Sequence, residues 1–434
     1  MPSRPLHTRP WWVATVSGMA SYIDAAAITG FSTSLVILRA ELGLEEWQVG
    51  AAAASLTLSI AVGALVGGRL GDRFGRRPIF TATMILVLAA VAALIFAPSF
   101  GVVILGAVLL GFATGADLPV SLATIAEAAT DSNRGRLLGF SNLLWIVGIV
   151  ANTLLASIVG DWGHLGAQVL FAHIGVVSLL VLLGRLTIPE SPTWTIARDE
   201  RRAGIATIRA DRARIGDLLR GPYLAPFLAL MAFGSLTGLV ANTTGQFGTY
   251  ILVTYGGATV GQAALVALPM VPIAVIGYLW FMKIADGPRR FLYFQIGAVL
   301  MIASKLVVVF AGLNITTYAI SALLAAFGGA FAFEGIMRVW TQESFPTLLR
   351  STAQGAIISV VRFTAAALAA VTPLLLQSGI TAFYLLLTVF NVAGLGIAWA
   401  VFRRRREAPV FDTEGQPDPE ASSAAATDTP GVPA

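Results

Sequence analysis

The sequence predicts an all-α membrane protein with twelve transmembrane helices arranged in two six-helix, pseudo-symmetric halves. Three observations predict this class. Of 434 residues, 56% are hydrophobic and only 12% are charged, whereas a soluble domain carries about 25% charged residues. Apolar runs long enough to cross a bilayer recur along the whole chain. Basic residues gather in alternate loops, as they do when one face of a membrane protein is cytoplasmic.

Twelve apolar segments predict the membrane spans. The first, Trp11–Leu38, is longer than the core of a signal peptide and is interpreted as an uncleaved span. The predicted spans run at 12–37, 47–70, 78–97, 101–127, 137–159, 165–187, 223–254, 260–283, 291–312, 316–342, 351–376 and 381–402.

The loops predict the orientation. One set of loops carries nearly all of the arginines, and the opposite set carries Arg39 alone. By the positive-inside rule both termini are cytoplasmic. The expected location is therefore the cell (plasma or inner) membrane, crossed many times.

Changes in composition predict the domain boundaries. Residues 1–188 and 222–402 each hold six spans, and the polar stretch 189–221 between them is predicted to be a cytoplasmic linker. Within it, Arg201–Ile215 has the pattern of an amphipathic helix with a basic face. The tail 403–434 is rich in Pro, Ala, Ser, Thr and Asp, and we expect it to be disordered.

A charged loop between the second and third spans, Gly68-Arg-Leu-Gly-Asp-Arg-Phe-Gly-Arg-Arg77, carries the strongest motif. It resembles the G-x-L-x-D-R-x-G-R-R/K loop of major facilitator transporters. The two halves also repeat: Glu127-x6-Arg134 follows the fourth span, Glu343-x6-Arg350 follows the tenth, and Asp286-Gly-Pro-Arg-Arg290 is a divergent copy of the charged loop. The resemblance extends over nearly the whole chain, to about residue 402.

Within that superfamily the chain resembles the sugar-porter and metabolite:proton symporter branch. Glu127-x6-Arg134-Gly135, Pro189-Glu-Ser-Pro192 and Glu343-Ser-Phe-Pro346 are similar to its loop signatures. Gly115-Ala-Asp-Leu-Pro-Val-Ser121 is similar to a run in phosphate:proton symporters. One departure is Ala107, which stands where sugar porters place an arginine that partners the aspartate of the first helix. The residues typical of hexose contacts are also missing.

Two carboxylates in the spans, Asp24 and Asp117, are the predicted proton-coupling residues. Each is expected roughly 15–18 Å from the cytoplasmic face, near mid-depth. The resemblance implies that helices 1 and 4 line one cavity, where two nearby carboxylates cannot both ionise cheaply. The alternatives are a structural interhelical hydrogen bond for Asp24 and, for Asp117, bracing of a helix break at Pro119.

Polar side chains in other spans are the predicted substrate-binding residues. Asn242, Gln246 and Tyr250 share one helix face, with interhelical hydrogen bonding as the alternative. Glu334 is expected to pair with Arg338 at i,i+4. The two isolated cations, Lys305 and Arg362, either neutralise an anionic substrate or pair with Asp117 and Glu334. The full set is Asn142, Trp145, Asn242, Gln246, Tyr250, Lys305, Glu334 and Arg362.

The resemblance implies a cytoplasmic gate. In the family, the loop aspartate, here Asp72, docks at the start of helix 11, predicted at Ser351, where the helix dipole favours a carboxylate. For the arginines, the alternative is a topological role alone. The predicted gating residues are Gly68, Asp72, Arg73, Gly75, Arg76, Arg77, Glu127, Arg134, Glu343 and Arg350.

The predicted function is secondary active transport of a small polar metabolite (sugar-like, polyol or organic anion) by alternating access with proton symport. The alternative is an exporter of drugs or metabolites driven by proton antiport. An enzyme is not expected: the sequence has no P-loop, no cysteine and only three scattered histidines. We expect no cofactor or metal and no nucleic-acid partner. The expected partners are the substrate, protons and the lipid bilayer, and the expected state is a monomer.

Overall fold

A computed structural model describes residues 9–130, 132–160, 162–205, 207, 215–258, 266, 269–377 and 379–403. The α-helices of the first half and the linker are α1 (Pro10–Leu42), α2 (Glu46–Phe74), α3 (Arg76–Ile95), α4 (Phe100–Ala128), α5 (Arg134–Val159), α6 (His164–Leu186) and α7 (Pro192–Arg202). Those of the second half are α8 (Leu224–Gly256), α9 (Met270–Ile284), α10 (Arg290–Ala311), α11 (Ile315–Ala332), α12 (Glu334–Ser344), α13 (Thr347–Gln377) and α14 (Ile380–Phe402).

The helices expose apolar surface and bury polar groups, which is the arrangement that a bilayer requires. Phe310 is 82% exposed and Leu180 is 63% exposed, whereas Asp24 is fully buried. Among the described residues, 11 helical stretches are long and apolar enough to cross a membrane, and Met270–Ile284 is a shorter apolar helix. The predicted eighth span, 260–283, begins in a stretch where 260–265, 267 and 268 lie outside the described residues. The all-α membrane class is confirmed.

Each half forms a bundle, and a few helix pairs join the halves. In the first half α1 packs against α4, α5 and α6, while in the second half α10 packs against α11 and α14. Across the halves α2 packs against α13, and α5 packs against α9 and α12. The α2–α13 contact is very close: a Cβ on Gly68 would lie 2.3 Å from the Ser351 carbonyl oxygen, and a Cβ on Gly355 would lie 2.1 Å from that of Ala64. Small residues permit such backbone approach in membranes.

The tenth predicted span is two helices rather than one. Phe333 has φ −132° and ψ −122°, which ends α11 and begins α12. Broken helices are tolerated at membrane depth only where protein surrounds them, and the residues around the break are largely buried. The break places Glu334 in the first turn of α12, where the helix dipole favours a negative charge.

Most of the predicted Arg201–Ile215 helix lies outside the described residues, so it stays a prediction. The linker helix that the structure does describe lies at Pro192–Arg202. It begins there because Ser191 accepts a hydrogen bond from the Trp194 amide and Pro192 fits the first turn. Residues 206 and 208–214, like the predicted tail from 404 onward, lie outside the described part. In α4 the predicted break at Pro119 is absent, since the helix continues to Ala128.

Candidate functional site

Asp24 is held between the two halves of the protein. Its carboxylate is fully buried on α1, and its Oδ2 accepts a hydrogen bond from Trp145 Nε1 of α5 at 3.2 Å. The same oxygen accepts one from Arg362 of α13 at 3.1 Å. Its other oxygen, Oδ1, has no hydrogen-bond partner. Asp24 and Arg362 therefore form an ion pair that links the first half to the second.

A second polar link between the halves lies next to that ion pair along α1. Arg338 of α12 donates hydrogen bonds to Ser21 at 3.0 Å and to Ser141 at 3.3 Å. Arg338 also lies 3.5 Å from Glu334, as the i,i+4 spacing predicts. Asn142, beside Ser141 on α5, makes a side-chain hydrogen bond with Tyr278, while its Oδ1 has no partner.

The structure thus brings together five of the predicted residues: Asp24, Asn142, Trp145, Glu334 and Arg362. We call this set, with Ser21, Ser141, Tyr278 and Arg338, the central site. It contains both cations and unpartnered acceptors, and its groups come from both halves. A ligand bound here would contact both halves at once.

Three residues of α8, Asn242, Gln246 and Tyr250, were predicted to form a wall of the ligand site. Asn242 donates to the Gly238 carbonyl oxygen at 2.8 Å, which is a bond within its own helix. The side chains of Gln246 and Tyr250 lie outside the described part of the structure. The predicted ligand wall on α8 therefore stays a prediction.

Lys305 lies apart from the central site, and neither predicted acidic partner contacts it. It lines a cavity among α8, α9, α10 and α11. The alternative that Lys305 or Arg362 pairs with Asp117 or Glu334 is wrong, because the cation beside Glu334 is Arg338 and the one beside Asp117 is Arg185.

Asp117 belongs to an ion pair inside the first half, which the sequence reasoning missed. Arg185 of α6 contacts both carboxylate oxygens and also donates to Ser121 at 3.0 Å. Thr83 of α3 donates to Asp117 at 3.0 Å. The Arg185 guanidinium lies 4.4 Å from the centroid of the Phe80 ring. Asp117 and Asp24 share none of these partners, and each carboxylate has an arginine of its own.

The predicted docking of Asp72 is present, at the face of the bundle that carries the α2–α3 loop. We call this the arginine-rich face. Asp72 accepts hydrogen bonds from the Thr352 amide at 2.6 Å, the Thr352 hydroxyl at 2.7 Å and the Ser351 amide at 3.4 Å. The helix begins at Thr347 rather than at the predicted Ser351, so these donors lie in its second turn. The contact holds α2 against α13.

Arg76 connects three helix ends at the same face. It is 1% exposed and donates to Asp72 at 2.9 Å, to Glu127 of α4 at 2.6 Å and to the Thr347 carbonyl at 3.1 Å. Glu127 also lies 3.5 Å from the buried Arg350. Because each charge in this cluster has an opposite neighbour, the cluster tolerates burial that a lone charge would not.

The Pro189–Pro192 motif also belongs to this cluster, although it was not among the predicted gating residues. Glu190 accepts hydrogen bonds from the amides of Arg76 and Arg77, at 2.9 and 3.2 Å. These are free amides at the start of α3, where a carboxylate is favoured. Trp194 donates to the Asp72 carbonyl at 2.9 Å. The sequence did not indicate a gating role for this motif, because nothing in it shows that the linker folds back onto the α2–α3 loop.

The second half repeats the arrangement. Asp286, after α9, accepts hydrogen bonds from the amides of Gly135 and Arg136 at the start of α5. Arg290 makes a two-point ion pair with Glu343, at 2.7 and 2.8 Å. Burial raises the pKa of Asp286, and its hydrogen bonds to the two amides oppose that rise. The divergent loop copy therefore docks α9 on α5 as Asp72 docks α2 on α13.

The other predicted gating residues occupy varied positions. Gly75 has φ +102°, a backbone conformation that favours glycine, and a Cβ there would lie 2.5 Å from Glu190. Arg73 lies 5.2 Å from the Phe74 ring centroid, and Arg134 is buried beside the Asp286 dock. Among the described residues no group of three or more His, Asp or Glu side chains could hold a metal ion.

Comparison with known proteins agrees with this architecture. Residues 13–370 match the family model described as the Major Facilitator Superfamily. The minor myo-inositol transporter IolF of Bacillus subtilis (strain 168) is 30% identical over 350 residues, which is 80% of each chain. A D-xylose transporter of Levilactobacillus brevis is 26% identical over 189 residues, 43% of this chain and 40% of that one.

Two solved structures share the fold. The proton:xylose symporter XylE bound to 6-bromo-6-deoxy-D-glucose superposes with a TM-score of 0.78 at 17% identity, covering 92% of this chain and 96% of that one. The transporter FucP in its outward conformation superposes with a TM-score of 0.72 at 13% identity, covering 91% and 99%.

Proposed function

The chain belongs to the major facilitator superfamily, and from that premise we propose that it carries a small polyhydroxylated metabolite, a sugar or a cyclitol, across the membrane together with a proton. Membrane transport, rather than enzymatic catalysis, is the activity of this family and of the relatives that the chain matches. The substrate class, the proton and the direction of transport are the proposal.

One observation carries the proposal: the buried ion pair between Asp24 and Arg362 joins the two halves. Sugar porters place an arginine at the position of Ala107, which here is buried in the apolar core. Arg362, on the opposite half, stands in its place as the cation beside the α1 carboxylate, at 3.1 Å. Protonation of Asp24 would neutralise the carboxylate and weaken a bond that must break when the halves separate.

The chemistry of the central site favours a hydroxyl-rich substrate. Two buried oxygens, Asp24 Oδ1 and Asn142 Oδ1, have no donor, and burial of an unsatisfied acceptor costs about 1–3 kcal/mol. Hydroxyl groups of a sugar or cyclitol donate to such oxygens and accept from Arg362 or Trp145. An organic anion would supply acceptors instead of donors, and the Asp24 carboxylate would repel its negative charge. The relation to a myo-inositol transporter supports the same class.

Alternating access gives the remaining residues their proposed roles. With Asp72 docked on α13 and Asp286 docked on α5, the arginine-rich face is closed. The arginines of that face support cytoplasmic termini, in the cell membrane, by the positive-inside rule. We assign Asp24 to proton coupling and infer that Asp117, fixed by Arg185, holds α3, α4 and α6 together. A single chain contains the whole central site, so a monomer suffices.

The test is transport by the purified protein in proteoliposomes with an internal pH dye. Myo-inositol, xylose and glucose are added in turn to the outside of proteoliposomes that contain wild type, Asp24→Asn or Asp199→Asn. Asp199→Asn is the control, because the Asp199 carboxylate lies on the linker helix and is 57% exposed. We expect substrate to drive protons inward in wild type and in Asp199→Asn. Asp24→Asn should keep substrate exchange but lose proton movement.

Each other outcome has a definite meaning. Equal proton movement in wild type and Asp24→Asn would overturn the coupling role of Asp24. Substrate uptake without proton movement in wild type would make the protein a uniporter. Proton movement opposite to the substrate would establish antiport, the alternative that the relatives do not favour.

A further inference from the structure

Lys305 is a buried cation that faces a cavity of its own. The cavity has a volume of about 310 Å³ and lies among α8, α9, α10 and α11 of the second half. Lys305 is 2% exposed. Its ammonium makes no hydrogen bond or ion pair with any of the residues that the structure describes. A buried charge without a partner costs several kcal/mol, so a missing counter-charge is the simplest explanation of this arrangement.

None of the acidic residues of the second half is placed to pair with Lys305. Residues 222–402 contain three acidic residues, Asp286, Glu334 and Glu343. Glu334 pairs with Arg338 and Glu343 pairs with Arg290. Asp286 lies at the arginine-rich face, bound to the amides of α5. The counter-charge for Lys305 must therefore come from outside the second half.

The rest of the cavity wall offers hydroxyl groups and small apolar side chains. Tyr318 and Ser321 lie at i and i+3 on α11, on the same face as Ala322 and Ala325. Gly248 of α8 makes room for Tyr318: a Cβ there would lie 2.2 Å from the tyrosine hydroxyl oxygen. The lining therefore combines one ammonium with hydroxyl groups able to donate hydrogen bonds.

We propose that this cavity binds a small monovalent anion, either chloride or a short carboxylate, at Lys305 with Tyr318 and Ser321. One positive charge is balanced by one negative charge, whereas a divalent anion would leave a net buried charge. Lys305 lies fifteen residues after Arg290, so about 22 Å from the arginine-rich end of α10. Its distance to Ala311, at the other end, is about 9 Å. The anion therefore reaches the cavity most directly from the face opposite the arginine-rich one.

This site is independent of the proposed sugar and proton transport. The central site uses Asp24 and Arg362 between the halves, while Lys305 lies within the second half, and the two sets share no lining residue. An anion bound at Lys305 would stabilise the packing of α8, α10 and α11 around it. Its effect is therefore measurable on the protein without any transported substrate.

The test is thermal unfolding of the full chain in detergent, with sodium chloride or sodium acetate replacing sodium gluconate at constant ionic strength. Ligand binding to the folded state raises the unfolding midpoint in a saturable manner. We expect this rise in wild type and in Lys283→Met, which removes the only other lysine, near the arginine-rich face. Lys305→Met and Lys305→Gln should weaken the apparent anion affinity at least tenfold.

The anion-dependent shift in the unfolding midpoint is measured for each variant against the same variant without the anion. A change in the basal stability of a variant therefore does not affect its apparent anion affinity. An equal anion response in wild type and both Lys305 variants would overturn the proposal, as would a response in wild type that never saturates or is absent. Loss of the response in Arg362→Gln would place the anion in the central site and overturn it too. Chloride and acetate titrated separately distinguish an inorganic ion from a carboxylate as the preferred occupant.

Discussion

At the scale of single residues, Asp24 and Asp117 show how the partners of a buried carboxylate decide its role. Asp117 has both oxygens bound by Arg185, with Thr83 as a further donor. Asp24 has only one oxygen bound, and its cation comes from the opposite half. A carboxylate that is fully satisfied inside one bundle is suited to holding helices together. One with an unbound oxygen and a cation from the opposite half fits the proton-coupling role proposed above.

Gly68 is the residue whose side-chain size should control closure of the arginine-rich face. Gly68→Ala places a Cβ 2.3 Å from the Ser351 carbonyl oxygen, which forces α2 and α13 apart at a cost of about 1–3 kcal/mol. We expect the closed state to lose population and uptake to fall. The measurement is the distance between spin labels on cysteines introduced at the exposed positions Phe74 and Arg289, since the chain has no cysteine of its own.

Gly50 on the same helix is the matched control. A Cβ at Gly50 meets nothing within 4 Å, so Gly50→Ala should leave both the label distance and uptake unchanged. A label distance in Gly68→Ala equal to that of wild type would show that the close approach does not limit closure.

At the scale of helices, backbone contact between α10 and α11 determines how the second half packs. A Cβ on Gly297 would lie 2.7 Å from the Gly328 carbonyl oxygen, and one on Gly328 would lie 2.8 Å from that of Gly297. The two helices therefore touch through their main chains, which in lipid is a principal source of helix association. The same pair of helices carries Lys305 and Tyr318 to the cavity of the second half.

Substitution of Gly328 should loosen this pair. Gly328→Ala is expected to destabilise the folded protein by about 1–3 kcal/mol because the new methyl group has no space. Gly329→Ala, one position along the same helix, meets nothing within 4 Å and should be neutral or stabilising by up to about 1 kcal/mol through helix propensity. The measurement is the thermal unfolding midpoint of each variant in the same detergent. Equal midpoints for Gly328→Ala and Gly329→Ala would argue against a packing role for Gly328.

At the scale of the whole molecule, the sequence predicts the architecture better than it predicts the central site. Apolar length and loop arginines predicted the membrane fold because those signals are local in the chain, and the resemblance of the Gly68–Arg77 loop to its family pattern implied the Asp72 dock. The Asp24–Arg362 and Asp117–Arg185 pairs join residues 338 and 68 positions apart. No local pattern specifies which cation reaches which carboxylate. The sequence also did not predict the helix break at Phe333, because the apolar stretch Ile315–Ser344 continues across it.

The two docks should contribute unequally to closure. Asp72 is 5% exposed and binds Arg76 as well as the amides of Ser351 and Thr352. Asp286 binds two amides and is less buried. We expect Asp72→Asn to widen the distance between labels at Phe74 and Arg289 more than Asp286→Asn does.

The double variant should widen that distance further than either single one, because sites without shared partners add nearly independently. The readout is the fraction of molecules at the longer distance. A larger effect from Asp286→Asn than from Asp72→Asn would reverse the ranking, and a double variant no wider than Asp72→Asn alone would show that the Asp286 dock does not contribute.

Duplication of the dock has a consequence for leakage. A proton-coupled carrier that opened its arginine-rich face while empty, at the wrong point of its cycle, would let protons pass without cargo. With one dock, the chance of such a slip is the chance that this dock is open. With two docks on separate helix pairs, the two probabilities multiply. If each dock were open in about one molecule in ten, its closed state would be favoured by about 1.4 kcal/mol. Both docks would then be open together in about one molecule in a hundred. Tightness of coupling can thus come from two weak contacts, each of which still releases quickly enough for turnover.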